Sequence, residues 1–212
     1  GYIQIPRGLL DELLDRAKQA DIDYEIEEER QQGRNINVDF KGELRPEQDK
    51  ALKELMKYDN GILHAATAFG KTVVSSAIIA QKKVNTLIIL ESSTLIEQWK
   101  EALGKFLNID EELPAYETKT GRVRKRKRLI GTLQGAHDST TGIIDIAMAG
   151  SLCKKGEYHK LLNQYGLLLI DECHHSASET IANVLKEAKA KYVYGVTATP
   201  KRGDGLEKIN YM

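Results

Sequence analysis

Short, continuous apolar segments alternate with amphipathic segments along the chain from residue 44 onward. In the amphipathic segments, apolar residues recur every three to four positions, which predicts helices. The apolar runs lack the in-out alternation of a half-exposed strand, so each predicts a strand buried on both faces. The predicted strands are 61–65, 86–90, 143–148, 167–170 and 192–196, and the predicted helices are 46–58, 71–81, 94–106, 158–164 and 178–188.

Repetition of strand and helix predicts an α/β fold with a mostly parallel central sheet flanked by helices. Residues 129–133 suggest one more strand, joined to 143–148 by the polar loop 135–142. No internal repeat is evident, so we expect one α/β domain rather than an array.

The pattern of residues 1–42 differs from that of the rest. A stripe of Leu and Ala residues between positions 9 and 17 predicts an amphipathic helix over 7–20. Residues 22–26 and 36–40 alternate like strands on either side of a charged segment, which suggests a hairpin. We therefore expect a small helix-hairpin appendage over 1–42 and the α/β domain over 43–212.

Charge and cysteine content limit the possible functions. The 212 residues include 31 basic and 31 acidic side chains, so any nucleic-acid site must be a local basic cluster. The two cysteines are not spaced for zinc or for a disulfide framework. No apolar stretch is long enough to span a membrane, and no signal peptide is evident. The sequence thus predicts a cytoplasmic protein without a membrane partner.

A phosphate-binding loop is predicted at residues 65–72, AATAFGKT, between a strand and a helix. Its N–H groups and the positive end of the helix suit phosphate oxygens. Lys71 would neutralise the β and γ oxygens, and the Thr72 hydroxyl would bind Mg²⁺. Ala65 occupies the place of the usual first glycine. The expected ATP ligands in this loop are Ala68, Phe69, Gly70, Lys71 and Thr72.

Two carboxylates end the apolar strand in the segment LLLIDECH, residues 167–174. Ligands of parallel α/β sheets bind at the carboxyl ends of strands. Asp171 is expected to hold Mg²⁺, and Glu172 to polarise a water that attacks the γ-phosphate. Lys71, Asp171 and Glu172 are therefore the catalytic candidates, with ATP and Mg²⁺ as cofactors.

Together, Gly70-Lys71-Thr72 and Asp171-Glu172-Cys173-His174 resemble motifs I and II of superfamily 2 helicases in the DEAH spelling. Four further segments resemble other elements of that superfamily in the same order: LRPEQ at 44–48, LESSTLIEQW at 90–99, IAMAGSL at 146–152 and TATP at 197–200. The spelling TATPKRGDG and the segment IPRGL at 5–9 are similar to the branch of restriction-enzyme motor subunits and excision-repair helicases.

The resemblance implies the first RecA-like domain of a DNA-dependent ATPase that moves along or unwinds nucleic acid. It implies that Gln48 reads adenine with support from Arg45, and that Ser92 touches a backbone phosphate. It also implies that Thr197 and Thr199 couple nucleotide state to the nucleic acid. Trp99 fits the superfamily, although a buried helix anchor is its simpler interpretation.

By the same resemblance, the nucleotide lies between this domain and a second RecA-like domain of the same longer chain. The 212 residues alone are then expected to hydrolyse ATP very slowly. DNA is favoured over RNA only by the branch resemblance. The alternatives are an RNA helicase, a nucleotide-responsive nucleic-acid clamp without unwinding activity, and a small-molecule kinase, for which no substrate lid is evident.

A dense basic run, KTGRVRKRKR, occupies residues 119–128. Such a run can bind phosphates without sequence preference, which makes Arg124 and Arg126 candidates for nucleic-acid contact. The alternative is a solvated loop whose charge offsets acidic segments such as 25–29.

Overall fold

The computed structural model describes residues 9–118, 120–154, 156–172 and 179–198. The α-helices in these ranges are α1 (Leu10–Gln19), α2 (Pro46–Leu55), α3 (Lys71–Lys82), α4 (Leu95–Phe106), α5 (Ala149–Leu152) and α6 (Glu179–Glu187). The strands are β1 (Val38–Phe40), β2 (Asn60–His64), β3 (Thr86–Leu90), β4 (Leu107–Ile109), β5 (Ala115–Glu117), β6 (Val123–Lys125), β7 (Ile130–Gln134), β8 (His137–Asp138), β9 (Ile144–Met148), β10 (Cys153–Lys154), β11 (Glu157–Tyr158), β12 (Leu167–Asp171) and β13 (Tyr192–Thr197).

The central sheet has seven strands in the order β2-β13-β12-β3-β9-β7-β8. Neighbouring strands are parallel throughout, except that β8 folds back antiparallel to β7. This arrangement confirms the predicted α/β fold with a mostly parallel sheet. Because β2, β13, β12 and β3 run in one direction, the loops that follow them emerge at one edge of the sheet.

The central strands contribute to two apolar cores, one on each face of the sheet. Ile88 and Leu169 point into the core built with α3 and α4, whereas Ile89 and Leu168 point into the core built with α6. All four side chains are 0% exposed. Burial on both faces explains why these strands are continuous apolar runs in the sequence.

Most of the predicted elements are confirmed within a few residues, but the predicted helix 158–164 is wrong. The chain instead forms the short strand β11, and then a 3-10 turn over Lys160–Gln164. The His159 ring Nδ1 accepts the Leu161 N–H at 3.2 Å and starts this turn. Non-helical backbone angles at Asn163 interrupt it. No helix in the described ranges is long and apolar enough to cross a membrane.

The helix predicted near the N-terminus is confirmed as α1, but the predicted hairpin is wrong. Residues 22–26 form no strand, and β1 instead pairs antiparallel with β4, which follows α4. The reason is burial: Ile36 and Val38 are 3% and 0% exposed in the core under α3 and α4, whereas Ile22 and Ile26 are exposed. The domain division at residue 42 stays a prediction.

A buried carboxylate fastens the loop before β9 to the approach of β12. Asp145 is 0% exposed and accepts hydrogen bonds from the N–H groups of Thr141 and Gly142 at 2.8 and 2.7 Å. The Tyr165 hydroxyl donates to the same carboxylate at 2.5 Å. Burial raises the pKa of Asp145, while these hydrogen bonds lower it.

Tyr165→Phe removes one donor to this buried carboxylate. We expect a loss of about 1.5–3 kcal/mol in the free energy of unfolding, the range for hydrogen bonds to charged groups. Tyr194→Phe is the matched control, because the Tyr194 hydroxyl donates at 2.6 Å to a neutral acceptor, the Tyr58 carbonyl. Its expected loss is about 0.5–1.5 kcal/mol. Urea unfolding measures both, and equal losses would show that the charge of Asp145 adds nothing.

Candidate nucleotide site and nucleic-acid edge

The loop between β2 and α3, where the phosphate site is expected, ends at a left-handed glycine. A 3-10 turn over Thr67–Phe69 leads into Gly70, which is left-handed at φ 83° and ψ 46°. Helix α3 begins at the next residue, Lys71. A Cβ at position 70 would lie 2.6 Å from Gln48 Nε2. Glycine suits this position because other residues rarely adopt this backbone conformation, and because a Cβ would displace the Gln48 amide.

Two residues at the start of α2 hold this loop from outside. Gln48 Nε2 and Arg45 Nη2 both donate to the Phe69 carbonyl at 2.6 Å. Gln48 Oε1 accepts the Arg45 N–H at 2.9 Å, and Gln48 is only 4% exposed. The amide thus keeps one N–H and one lone pair, the combination used in a bidentate contact with adenine. Adenine reading by Gln48 and Arg45 stays a prediction; bracing of the loop is what the geometry shows.

Lys71 and Phe69 are partly engaged inside the loop. Lys71 Nζ is 3.5 Å from the Ala65 carbonyl oxygen, so its side chain lies back over the loop. The Phe69 N–H donates to the Ala66 carbonyl at 2.9 Å. That N–H therefore shapes the turn in this structure, whereas the sequence suggested that it faces a phosphate.

The other two expected ligands of the loop lie on either side of Gly70. Ala68 is exposed within the 3-10 turn. Thr72 is in the first turn of α3, and its carbonyl accepts the Ser76 hydroxyl at 2.9 Å. Lys71 and Thr72 thus form the first turn of α3, and the partial positive charge at the start of a helix favours an anion.

Asp171 ends β12 and is held by two N–H donors. Trp99 Nε1 donates to Oδ2 at 2.7 Å, and the Glu172 N–H donates to Oδ1 at 2.9 Å. Burial raises the pKa of Asp171 above its ordinary value, and the charge of Glu172 adds to this rise. The two hydrogen bonds and the charge of Lys71 lower the pKa. Lys71 and Asp171, which are distant in sequence, thus lie close enough to interact electrostatically.

Glu172, the residue after β12, has an unusual backbone conformation. Its φ of 52° is in the left-handed region, which is uncommon for a residue with a side chain and costs of order 1–3 kcal/mol. Such strain persists where the surroundings impose it, often at functional sites. The rest of the acidic motif, Cys173 and His174, lies outside the described residues.

The residues present fit the expected Mg²⁺. Thr72 supplies a hydroxyl and Asp171 a carboxylate, and Mg²⁺ prefers such oxygen ligands and needs few of them from the protein. The two donors to Asp171 fix its orientation while each oxygen keeps a further lone pair. Within the described ranges, no group of three or more His, Cys, Asp and Glu side chains is placed to hold a metal.

Thr197 and Ser92 lie at the same edge of the sheet as the loop and the carboxylates. Thr197 ends β13, the strand between β2 and β12. It is 2% exposed, and its carbonyl accepts the Ala65 N–H at 3.0 Å. Ser92 is exposed just beyond β3, with its hydroxyl 2.7 Å from that of Thr94. Their positions suit the expected roles, which stay predictions, and Thr199 lies outside the described residues.

The basic run contributes β6 to a two-stranded hairpin, in which it pairs with β5 just before the run; this hairpin was not predicted from the sequence. Tyr116 pairs with Arg124 across the hairpin. The Arg126 guanidinium stacks 4.2 Å from the centre of the Tyr116 ring, and its Nη1 donates to the Asp138 carbonyl at 3.4 Å. Gly121, with φ of 76° in the connecting turn, was the available sequence signal for this hairpin.

Strand alternation sorts the basic side chains between the two faces of the hairpin. Tyr116 and Arg124 share a face because they are paired, and the Arg126 guanidinium lies over the same Tyr116 ring. Arg122 directly precedes β6, and continued alternation of the strand would place it on this face too. We call this set the arginine face. The opposite face carries Val123, which is 73% exposed.

Trp99 is the site residue whose contact the sequence analysis missed. It is 1% exposed in the core with α3, which confirms the buried helix anchor. Its indole N–H also reaches Asp171, 72 residues away in the chain. The only sequence signal was that Trp99 lies in the same motif-like segment as Ser92.

Residues 41–202 match the family described as "Type III restriction enzyme, res subunit". The chain is 34% identical over 167 residues to the DNA 3'-5' translocase XPB2 of Sulfurisphaera tokodaii, covering 79% of this chain and 33% of that protein. It is 26% identical over 189 residues to the XPB helicase/translocase subunit of general transcription and DNA repair factor IIH of Dictyostelium discoideum, covering 84% of this chain and 22% of that protein.

The fold is similar to that of a solved structure, the UvsW helicase from bacteriophage T4. The TM-score is 0.63 at 13% identity, with 98% of this chain and 77% of that chain covered. At this identity the likeness shows the fold alone. The present chain spans one third of the length of the Sulfurisphaera relative and less of the Dictyostelium one.

Gly70→Ala tests the geometry of the loop. The added methyl group meets Gln48 Nε2 and an unfavourable φ, so we expect the loop to shift and the affinity for a labelled ATP analogue to fall at least about tenfold, equivalent to 1.4 kcal/mol. Fluorescence polarisation in the presence of Mg²⁺ measures this affinity.

The matched control is Gly104→Ala, because a Cβ there has no atom within 4 Å. Alanine within α4 should raise stability by about 0.5–1 kcal/mol and leave nucleotide affinity unchanged. Wild-type affinity in Gly70→Ala would show that the left-handed glycine is not needed for binding.

Proposed function

Since this chain belongs to the family described as the res subunit of type III restriction enzymes, we propose that it is the ATP-binding half of a DNA-dependent ATPase motor. The motor hydrolyses ATP to ADP and phosphate and uses the reaction to move along or unwind nucleic acid. The observation that carries the proposal is that the β2–α3 loop with Lys71 and the end of β12 with Asp171 and Glu172 lie at the same edge of the parallel sheet.

The chain's own residues divide the chemistry as follows. The N-terminus of α3 and Lys71 bind the β- and γ-phosphates and offset their charge. Thr72 and Asp171 would hold Mg²⁺, which when bound neutralises charge on the phosphate oxygens. Glu172 orients the attacking water and accepts its proton. Gln48, braced against Phe69, uses its remaining N–H and lone pair on adenine.

A second RecA-like domain of the same longer protein completes the site in this proposal. An arginine supplied across the cleft in related phosphoryl-transfer sites is worth about 10³–10⁵ in rate. The 212 residues alone should therefore bind ATP but turn it over slowly. DNA is favoured over RNA because the Sulfurisphaera relative is described as a DNA translocase.

We place the nucleic acid against the Ser92 loop and the arginine face. Lys127 and Arg128, which follow β6, line a cavity of about 520 Å³ together with Lys100 of α4 and the apolar residues Leu107, Ile109, Leu113, Leu129 and Ile130. The three cations extend the basic surface from the hairpin toward α4, the helix that starts beside Ser92. Such a basic path binds phosphates with little sequence preference.

Lys71→Ala tests the phosphate grip. Loss of a charge-assisted contact worth about 1.5–3 kcal/mol should weaken binding of a labelled ATP analogue with Mg²⁺ by about 10–100-fold. Lys53→Ala is the control, because Lys53 is an exposed lysine paired with Asp49 on α2.

Equal binding by wild type and Lys71→Ala would refute the assigned role of the loop. If neither binds, the longer protein decides whether nucleotide needs the second domain. In that longer protein, stimulation of hydrolysis by DNA supports the motor, and stimulation by RNA alone supports an RNA helicase. Nucleotide-dependent DNA binding without stimulated hydrolysis supports a clamp.

Replacing Arg122 and Arg124 together by Ala tests the arginine face. Each lost phosphate contact should reduce the slope of log affinity against log salt for duplex DNA by about 0.9, so the pair should reduce it by about two. Arg16→Ala, an exposed arginine on α1, is the control. An unchanged slope, measured by fluorescence anisotropy between low and moderate salt, would place the DNA elsewhere.

A further inference from the structure

We propose that Trp99 is a positioning residue for the hydrolysis site, which orients Asp171 for metal binding and makes this orientation responsive to nucleic acid at the Ser92–Thr94 loop. The inference rests on the proposed function, and it adds a route by which the Ser92–Thr94 loop influences the Asp171 carboxylate at the same edge of the sheet.

A hydrogen bond joins the buried Trp99 indole to Asp171. The indole N–H is a donor only, and when buried it requires an acceptor. Here the acceptor is Asp171 Oδ2 at 2.7 Å, while Oδ1 receives the Glu172 N–H. With one donor on each oxygen, the carboxylate cannot rotate without breaking a hydrogen bond.

The hydrogen bond distinguishes Trp99 from a residue that only fills space in the core. Trp99 is 1% exposed among the apolar residues of the core with α3, and a phenylalanine ring would fill most of that space. Packing alone does not require the N–H to meet a carboxylate. The outer groups that orient metal ligands typically change metal affinity or activity by 10–100-fold when removed.

Helix α4 joins Trp99 to the Ser92–Thr94 loop. Helix α4 begins at Leu95, and the Leu95 and Ile96 N–H groups donate to the carbonyls of Ser92 and Ser93 at 3.3 and 3.2 Å. The loop and the first turn of α4 are therefore one hydrogen-bonded unit. Trp99 follows about 6 Å farther along the helix axis, four residues at about 1.5 Å each. A ligand that reorients this loop moves the indole directly.

Helix α4 packs against α3. Helix α3, which starts at the phosphate loop, shares its core with α4 through Val74 and Trp99. Packed helices move as units rather than deforming gradually. The phosphate loop and the Asp171 carboxylate thus both depend on the position of α4.

Trp99→Phe removes the donor and keeps an aromatic ring. The affinity of a labelled ATP analogue is measured by fluorescence polarisation, once in EDTA and once with Mg²⁺, for wild type and variant. We expect unchanged affinity in EDTA, and a gain from Mg²⁺ that is at least about tenfold smaller than in wild type. Tyr194→Phe, which removes a buried aromatic donor at the amino end of β2, should keep the full gain.

A full Mg²⁺ gain in Trp99→Phe would reduce Trp99 to packing and overturn the proposal. If neither wild type nor variant binds nucleotide, the comparison is repeated in the longer protein, and absence of binding there would contradict the proposed function rather than the role of Trp99. Binding by wild type with equal losses in EDTA and in Mg²⁺ for the variant would indicate a general structural defect, which also contradicts positioning.

Wild-type protein supplies a second readout that needs no variant, because Trp99 is the sole tryptophan of the chain. Its emission should change when Mg²⁺ is added to the nucleotide-bound protein, and again when duplex DNA is added. Ser92→Ala should reduce the DNA-induced change. Tryptophan emission that does not change on addition of Mg²⁺ would contradict the positioning role. Emission that changes with Mg²⁺ but not with bound DNA would contradict the link through α4.

Discussion

The burial of both faces of the central sheet is the constraint on which the site depends. Strands β3 and β12 place alternate side chains into two separate cores, so helices must cover both faces. Helical crossovers between neighbouring strands make those strands parallel. Parallel strands then deliver the ends of β2, β13, β12 and β3 to one edge. The sheet topology alone therefore brings residues that are far apart in sequence, such as Lys71 and Asp171, to the same edge.

Polar contacts, rather than apolar packing, give that edge its detailed shape. The Phe69 carbonyl accepts two donors from the start of α2, and the Thr197 carbonyl accepts the first N–H of the loop. Each contact joins a loop to an element that the cores already hold in place. Gly70 adopts its left-handed backbone beside these contacts without a steric cost, whereas the same conformation at Glu172 costs of order 1–3 kcal/mol.

The elements that local pattern determines could be predicted from the sequence, and those that depend on a distant partner could not. The run 86–90 is apolar throughout because both its faces are buried, and its bounds are confirmed. Residues 36–40 alternate as a strand should, but the partner, β4, lies about seventy residues onward and nothing local identifies it. The loop and carboxylate motifs were recognisable because their chemistry is local, whereas the donor from Trp99 to Asp171 arises only once α4 is packed.

The chemical nature of that donor bears on how the carboxylate can work. A lysine or arginine beside Asp171 would fix its orientation too, but it would also compensate the negative charge that attracts a divalent cation. An indole N–H orients the oxygen and brings no charge. The charge of Lys71 lowers the pKa of Asp171. In the proposed site, the phosphates of a bound nucleotide would compensate the charge of Lys71. In the proposed role of Asp171, the pairing of a neutral donor with a partly buried carboxylate fixes the oxygen without neutralising the charge that a metal ion would need.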